Sequence, residues 1–420
     1  MHLPRITPYL CAWALAAVLS TAAAADWPQW RGPNADGVAP EGNPPIKWSE
    51  KKNVKWKVKV DGSGDSTPII WGDKIFITTA VPQGTGRGVP FKFNLLCLNR
   101  TDGSTLWERT VREEVPHEGH HPTSSLASYS PITDGEHVWV SYGSRGLHCF
   151  DLDGNPKWSA DLIQMQTRNA FGEGSSPAIA GDSIVVIADH EGDSKIFSFN
   201  KLTGEKLWEQ DRDEMTSWTT PYPVTIDGKL QVITSATNFI RSYDAATGDV
   251  IWKCEGQTLN AIPSPVVGFG NVYCTSGYRG AALQAIKLGG SGDLTDTDSV
   301  VWEVNKDTPY VSSPLLYDDK IYVTRGLGGD ISCYNAQTGE PIFEREKLEG
   351  IRQIYASPVG AGGYVYVTGR QGTFKVLEHS DRFKVVQSNK LDDFFDGSPV
   401  VIGDELYLKG DTHLYCIAER

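Results

Sequence analysis

Residues Ser175 to Gln210 read SSPAIAGDSIVVIADHEGDSKIFSFNKLTGEKLWEQ. Four short strands are predicted here. Ser176-Pro177 opens an apolar run, Gly181-Asp182 makes a two-residue turn, Ser183 to Asp189 is β-branched, Lys195 to Asn200 alternates, and Thr203-Gly204 turns into Lys206-Leu207-Trp208. A Gly-Asp pair suits a tight hairpin because glycine accepts the positive φ of the primed turns, whose twist matches the flanking strands. Four antiparallel strands in so few residues cannot bury both faces of their sheet, so the unit requires copies of itself on either side.

The copies are present. Ser-Pro or Thr-Pro recurs at Pro68, Pro131, Pro177, Pro221, Pro265, Pro314, Pro358 and Pro399, each followed by an apolar run. A period mostly in the forties, with four strands per copy, is the signature of a propeller blade, and eight starts predict eight blades. A second punctuation precedes the fourth strand: Asp102-Gly103 before Trp107, Asp153-Gly154 before Trp158, Thr203-Gly204 before Trp208, Thr247-Gly248 before Trp252 and Thr338-Gly339 before Phe343. The fifth copy carries a longer insertion, Leu288 to Ser299, before Trp302. The recurring aromatic is expected to wedge between adjacent blades, since large rings supply much of the area that stacked repeats bury. The last copy, from Ser398, holds only three strands; VKWKVKV, Val54 to Val60, is expected to supply the fourth and close the ring, removing its open edges. The expected fold is all-β, an eight-bladed propeller over residues 54–420. Residues 26–53, rich in Pro and Gly and opening on WPQWRGPNADG after Asp26, read as an irregular lead-in packed on the outside of the ring.

Upstream, Met1 to Ala25 has the pattern of a secretory signal: Arg5 precedes the apolar run Tyr9 to Leu19, and Ala23-Ala24-Ala25 offers a cleavage site. Cys11 sits too early in that run, and lacks the small residues before it, to be a lipid-anchoring cysteine. No other stretch approaches the ~18 apolar residues of a membrane span, so a periplasmic or extracellular location is expected. A formal charge of -13 over 420 residues argues against nucleic acid or an anionic membrane as partner, because both require clustered Lys and Arg. Cys97, Cys149, Cys333 and Cys416 recur at one place in the repeat and read as small buried hydrophobes. Cys254 and Cys274 lie in consecutive copies, and their pairing in an oxidising compartment is left open.

The eight copies of Ser/Thr-Pro, apolar run, turn, strand, Thr-Gly and Trp, clearest in YDAATGDVIW (Tyr243 to Trp252) and FNKLTGEKLW (Phe199 to Trp208), resemble the repeat of the pyrroloquinoline quinone (PQQ) propellers. The resemblance spans about Val54 to Arg420 and is specific for fold. That family includes quinone-dependent alcohol dehydrogenases and also the propeller lipoprotein of the outer-membrane barrel-assembly machinery, which binds no quinone. Two roles are therefore implied: a binding or scaffold module, and a PQQ- and calcium-dependent oxidoreductase.

In either role the connections from each outer strand to the next inner strand gather over the mouth of the channel, and loops on a rigid scaffold are where binding residues concentrate. Arg168, Asn169, Glu173, Trp218, Asn260, Tyr310, Arg352 and Tyr355 are the candidate ligand-binding residues there, for a protein or a small molecule. For a dehydrogenase the resemblance implies calcium on residues such as Glu173 and Asn260, a stacking indole such as Trp218, and Asp396 as the catalytic base. The chain has no adjacent Cys-Cys pair and no C-x-x-C-H haem motif, both of which occur among such dehydrogenases. The reading favours a non-enzymatic, monomeric module. His117 to His121, HEGHH, matches the H-E-x-x-H zinc pattern, but that pattern works only on a helix, and Pro116, Gly119 and Pro122 predict a loop.

Overall fold

The computed structural model describes residues 26–419; the predicted signal, with Cys11, lies outside them. Eight antiparallel sheets follow one another along the chain, giving eight blades. The third copy folds as Ala178–Ala180, Ser183–Ala188, Ser194–Asn200 and Lys206–Arg212, with Gly181 at φ 63° in the first turn. The first strands of neighbouring blades lie against one another and surround the axis. The last blade takes Val54–Lys59 as its outer strand, paired antiparallel with His413–Ile417. Among the described residues, no helix is long and apolar enough to cross a membrane.

The repeated Ser/Thr-Pro has a direct structural use. A residue before proline is held extended, and here its hydroxyl accepts the backbone N–H of the equivalent residue in the preceding blade. The links run from Thr67 to Ser130, Ser130 to Ser176, Thr220 to Ser264, Ser264 to Ser313, Ser313 to Ser357 and Ser357 to Ser398, at 2.8 to 3.0 Å. Ser398 N–H then donates to Thr67 Oγ1 at 3.0 Å, joining the last blade to the first. Between the third and fourth blades, Ser175 Oγ donates to the Thr219 carbonyl at 2.6 Å.

The outer strands are joined differently. Trp56, Trp107, Trp158, Trp208 and Trp302 donate their indole N–H groups to carbonyls of the following blade, those of Arg100, Leu152, Lys201, Ala245 and Ala336, at 2.9 to 3.1 Å. Each ring covers the glycine of that blade's second turn. A Cβ on Gly103, Gly154, Gly204, Gly248 or Gly339 would lie only 2.6 to 2.9 Å from the ring. The expected wedge is thus a tryptophan lid on a glycine floor. At Trp252 the fifth copy has no such turn; its insertion instead lays Gly292–Asp293 parallel to the outer strand of the fourth blade, and the Trp252 indole N–H has no partner among the described residues.

The lead-in corrects an expectation. It does not pack outside the ring but fills the turn-side part of the channel. Trp27 exchanges backbone hydrogen bonds with Ile70, Pro28 O accepts from Thr133 N–H, and Arg31 Nη2 donates to Pro314 O at 2.6 Å. Val38–Ala39 then runs parallel to Val359–Ala361. The physical reason is that the short first strands expose backbone groups toward the axis, and buried groups of this kind require partners. Trp27 and Arg31 are 1% and 2% exposed. The chain leaves beside Gly403, and Trp48 stacks on Tyr366 and meets Phe374 edge-on before Val54 is reached.

The six cysteines of the described residues are buried free thiols; Cys254 and Cys274 share one core cluster without a bridge. Replacing Thr67 with Val removes the closing acceptor and strands the buried Ser398 N–H, so a loss of about 1–3 kcal/mol is expected in denaturant titration. Gly204→Ala combines a φ of 74° with a collision against Trp158 and is expected to cost ~2–4 kcal/mol. Gly228→Ala, at φ 78° with open space around it, should cost about 1 kcal/mol; equal losses for the two glycines would contradict the lid.

Candidate functional site

Because the lead-in occupies the turn side, the channel formed by the described residues opens on the side of the long connections. There it forms a cup of about 240 Å³ with Trp30 in its lining. The walls follow from the repeat. In each blade the residue three before the recurring proline reaches the cup: Asp65, Ser128, Gly174 and Trp218 from the first four, and Ile262, Val311, Tyr355 and Asp396 from the last four. An extended segment alternates its side chains, so the residue at this position and the hydroxyl just before proline both face the axis. The cup is consequently unequal around its rim. Asp396 and Asp65 are neighbours on one side, and Trp218 and Ile262 lie across from them.

Trp218 is held from several directions. Its indole N–H donates to Gly172 O at 2.7 Å and its backbone N–H to Ala261 O at 2.9 Å. The preceding Ser217 donates to Asp189, which is itself paired with Arg212 at 2.6 Å, both side chains being fully buried. Breaking such a buried pair typically costs about 3–5 kcal/mol, so the connection that presents Trp218 is firmly anchored. Tyr310 stacks on Tyr278 with centroids 5.0 Å apart, and burial raises its hydroxyl above the usual tyrosine value, with the Asn260 side chain opposing. Tyr355 lies beneath the Arg370 guanidinium.

The acidic groups differ in their attachments. Glu173 is 8% exposed and accepts from Tyr129 Oη at 2.9 Å, Ser144 N–H at 2.7 Å and Ser144 Oγ at 2.5 Å. Gly143 permits that approach, since a Cβ there would fall 1.8 Å from Glu173 Oε2. Asp396 accepts through both oxygens from Arg370 Nε, at 2.9 and 3.0 Å. Burial nevertheless lifts its carboxyl to about 7, against the Arg370 hydrogen bonds and with Asp65 adding to the rise. Asp65 is also raised, by burial first, with Lys409 and hydrogen bonds from the Ser125 and Ser128 side chains opposing; the Ser128 Oγ contact is 3.4 Å long. Asp411 completes this group, with carboxylate oxygens of all three within 4.8 Å of one another.

Of the residues singled out in the sequence, Glu173, Trp218, Tyr310, Tyr355 and Asp396 come together in the cup. The others do not line it. Arg168 and Asn169 lie in a short 3-10 turn on the shoulder of the third connection, with Asn169 exposed at φ 53°. Arg352 is exposed, and Asn260 is buried at φ 57° behind the wall, its side-chain oxygen without a partner among the described residues. Sequence reasoning missed Asp65, His121, Phe171 and Trp30. The first was findable from its fixed distance to the repeated proline.

HEGHH is a loop, as expected, and it clasps the next connection. His117 Nε2 lies 2.7 Å from Met165 O, Glu118 accepts from Thr167 N–H and Oγ1, and His121 meets the Phe171 ring edge-on at 4.9 Å. The zinc-protease geometry is absent because no helix forms there.

The donor set does not fit PQQ held with a calcium ion on Glu173 and Asn260. The quinone is a flat ring system bearing several carboxylates, whereas the cup is lined by Asp65, Glu173 and Asp396 and by no Lys or Arg. Its volume is also below the ~300–1,000 Å³ of ordinary small-molecule sites. Both Glu173 oxygens are already engaged, and Asn260 lies outside the lining.

Linkage gives Asp396 a testable pH signature. A carboxyl raised on folding contributes stability fully present below its unfolded value near 3.8 and lost as pH rises through about 7. Urea titrations should therefore show wild type losing stability relative to Asp396→Asn between pH 4 and pH 8, and a carbon NMR titration should place the Asp396 midpoint near 7. A midpoint in the ordinary carboxylate range would refute the assignment.

The comparisons agree with this fold. Curated relatives named outer membrane protein assembly factor BamB are 23% identical over 284 residues in Bordetella pertussis (62% of this chain, 68% of the relative) and 22% identical over 348 residues in Burkholderia pseudomallei (78% and 80%). The crystal structure of BamB from Moraxella catarrhalis aligns with a TM-score of 0.62 at 16% identity, covering 87% of this chain and 96% of that one, a likeness of fold. A family model described as outer membrane protein assembly factor BamB matches residues 92–340 and 223–420, and the chain belongs to that PQQ-repeat family.

Proposed function

We propose that this propeller is an exported, non-catalytic scaffold, acting as a monomer, that docks a protein partner on the face carrying the long connections. The observation that supports this most is the cup's own lining: too small and too acidic for the quinone of the enzymatic relatives, yet rigidly built. The clasp between residues 112–129 and 163–175 stiffens the rim beside it, leaving Asn169 exposed there. Rigid loops on a closed ring favour binding because little conformational entropy is lost on association. Relatives named outer membrane protein assembly factors suggest that the partner belongs to that assembly process.

A photo-crosslinking residue at Asn169 or Arg352, on the connection face, is expected to trap a component of outer-membrane assembly in the producing cell. The same residue at Asp73 or Asp182, in first-to-second strand turns, should trap none. Adducts only from the turn face, or none from the connection face at equal protein level, would refute the reading.

A further inference from the structure

The cup has two unlike sides, and this is what a basic side chain presents in reverse. On one side the lining carboxylates Asp65 and Asp396, with exposed Asp411 behind them, bring three carboxylates together, beside the cations Arg370 and Lys409. Neither cation enters the lining. Lys409 is spent on the Gly64 carbonyl and is itself 3% exposed, while Arg370 is held against Asp396 and over Tyr355. Asp65 faces the cup without a cation of the described residues in direct ion-pair contact, Lys409 and Arg370 acting on it only from a distance, and its carboxylate accepts from the Ser125 and Ser128 hydroxyls, the latter at 3.4 Å. Across the axis, Trp218, Ile262 and Tyr310 offer apolar and aromatic surface above Trp30.

Long basic side chains carry an apolar stem and a charged head, and bury the stem along apolar surface while the head seeks anionic partners. Aromatic faces add attraction for the same cation. The volume of about 240 Å³ suits one side chain better than a complete cofactor. We infer that the cup receives a Lys or Arg side chain from an extended segment of the docked protein, its head on Asp65 and Asp396 and its stem against Trp218 and Ile262. This rests on the loop face being a protein-docking surface, and it assigns the feature of the partner that the cup reads. The other charged or titratable groups around the site are Glu173, which accepts from Tyr129 and Ser144 and has His117 at 3.7 Å and Arg145 at 4.0 Å; His121, in the lining, with its Nδ1 2.8 Å from Thr123 Oγ1; and Arg31 under the Trp30 ring, which donates to Asp36 O and Pro314 O. Arg31 lies outside the lining, so the cup itself presents the carboxylates of Asp65, Glu173 and Asp396 and, as its one further titratable lining group besides the tyrosines, His121.

Calorimetric titration of the whole protein with capped peptides acetyl-Ala-Arg-Ala-amide, acetyl-Ala-Lys-Ala-amide and acetyl-Ala-Glu-Ala-amide tests this. Millimolar or tighter binding is expected for the first two and none for the third. Asp65→Asn is expected to weaken the basic peptides about tenfold, the size of one charge-assisted contact, with the melting curve reporting that the variant is folded. Wild type alone decides the matter if the variant does not fold. Equal affinity for the glutamate peptide, no binding at tens of millimolar, or displacement of the basic peptides by stoichiometric calcium each overturns the inference. Those outcomes leave the crosslinking pattern at Asn169 and Arg352 untouched, so a failed cup and a failed docking face are told apart.

Discussion

The hydrogen bond from one blade's backbone N–H to the next blade's pre-proline hydroxyl is the contact on which the ring depends. It sits where the first strands are only a few residues long and have little sheet of their own to contribute. Proline fixes the geometry at each start: it holds the preceding residue extended, and it removes a donor that would otherwise need a partner at the crowded axis. The hydroxyl does what an amide cannot at that position, because it can turn toward the neighbouring blade. With the link from Ser398 to Thr67 the series becomes circular, and no blade is terminal. The tryptophan lids repeat the same logic at the circumference, where more area is available and a large ring can be used.

A circular series of inner strands leaves a hole. The chain fills its turn side with its own lead-in, whose Pro and Gly residues limit regular pairing but allow single hydrogen bonds to several blades in turn. Burying Arg31 is the cost of this arrangement: desolvation lowers its guanidinium to about 10, with Asp36 partly compensating. The gain is a floor. Trp30 turns a tunnel into a closed vessel, and the properties of the mouth are then set by a single tier of side chains.

That tier explains what could be read in advance. Blade number, strand order, the closing role of Val54 to Val60 and the wedge of Trp208 all follow from local signals at fixed spacing, and such signals survive translation into structure. Trp218, Tyr355 and Asp396 were visible as polar or aromatic residues in connections, but their convergence was legible only in register with proline; Glu173 lies one residue outside that register and reaches the cup through its bonds to Tyr129 and Ser144. Asp65 shares that register with Asp396 and was overlooked because its connection is short. Arg168 and Arg352 are placed differently: Arg168 is half-buried with its guanidinium 3.6 Å from Met215 Sδ, and Arg352 is exposed, so neither lines the cup although both stand on the connection face. The placement of the lead-in was not legible, since WPQWRGPNADG has no period and its partners lie in blades far along the chain.

The entry point of the lead-in has a practical geometric result. Asp26 accepts from the Gly72 N–H at 2.7 Å, in a turn on the side opposite the cup. Anything fused or coupled ahead of residue 26 therefore emerges away from the mouth. Immobilised on a sensor surface through that end, the propeller would hold its cup toward the solution, with the ring itself acting as the spacer.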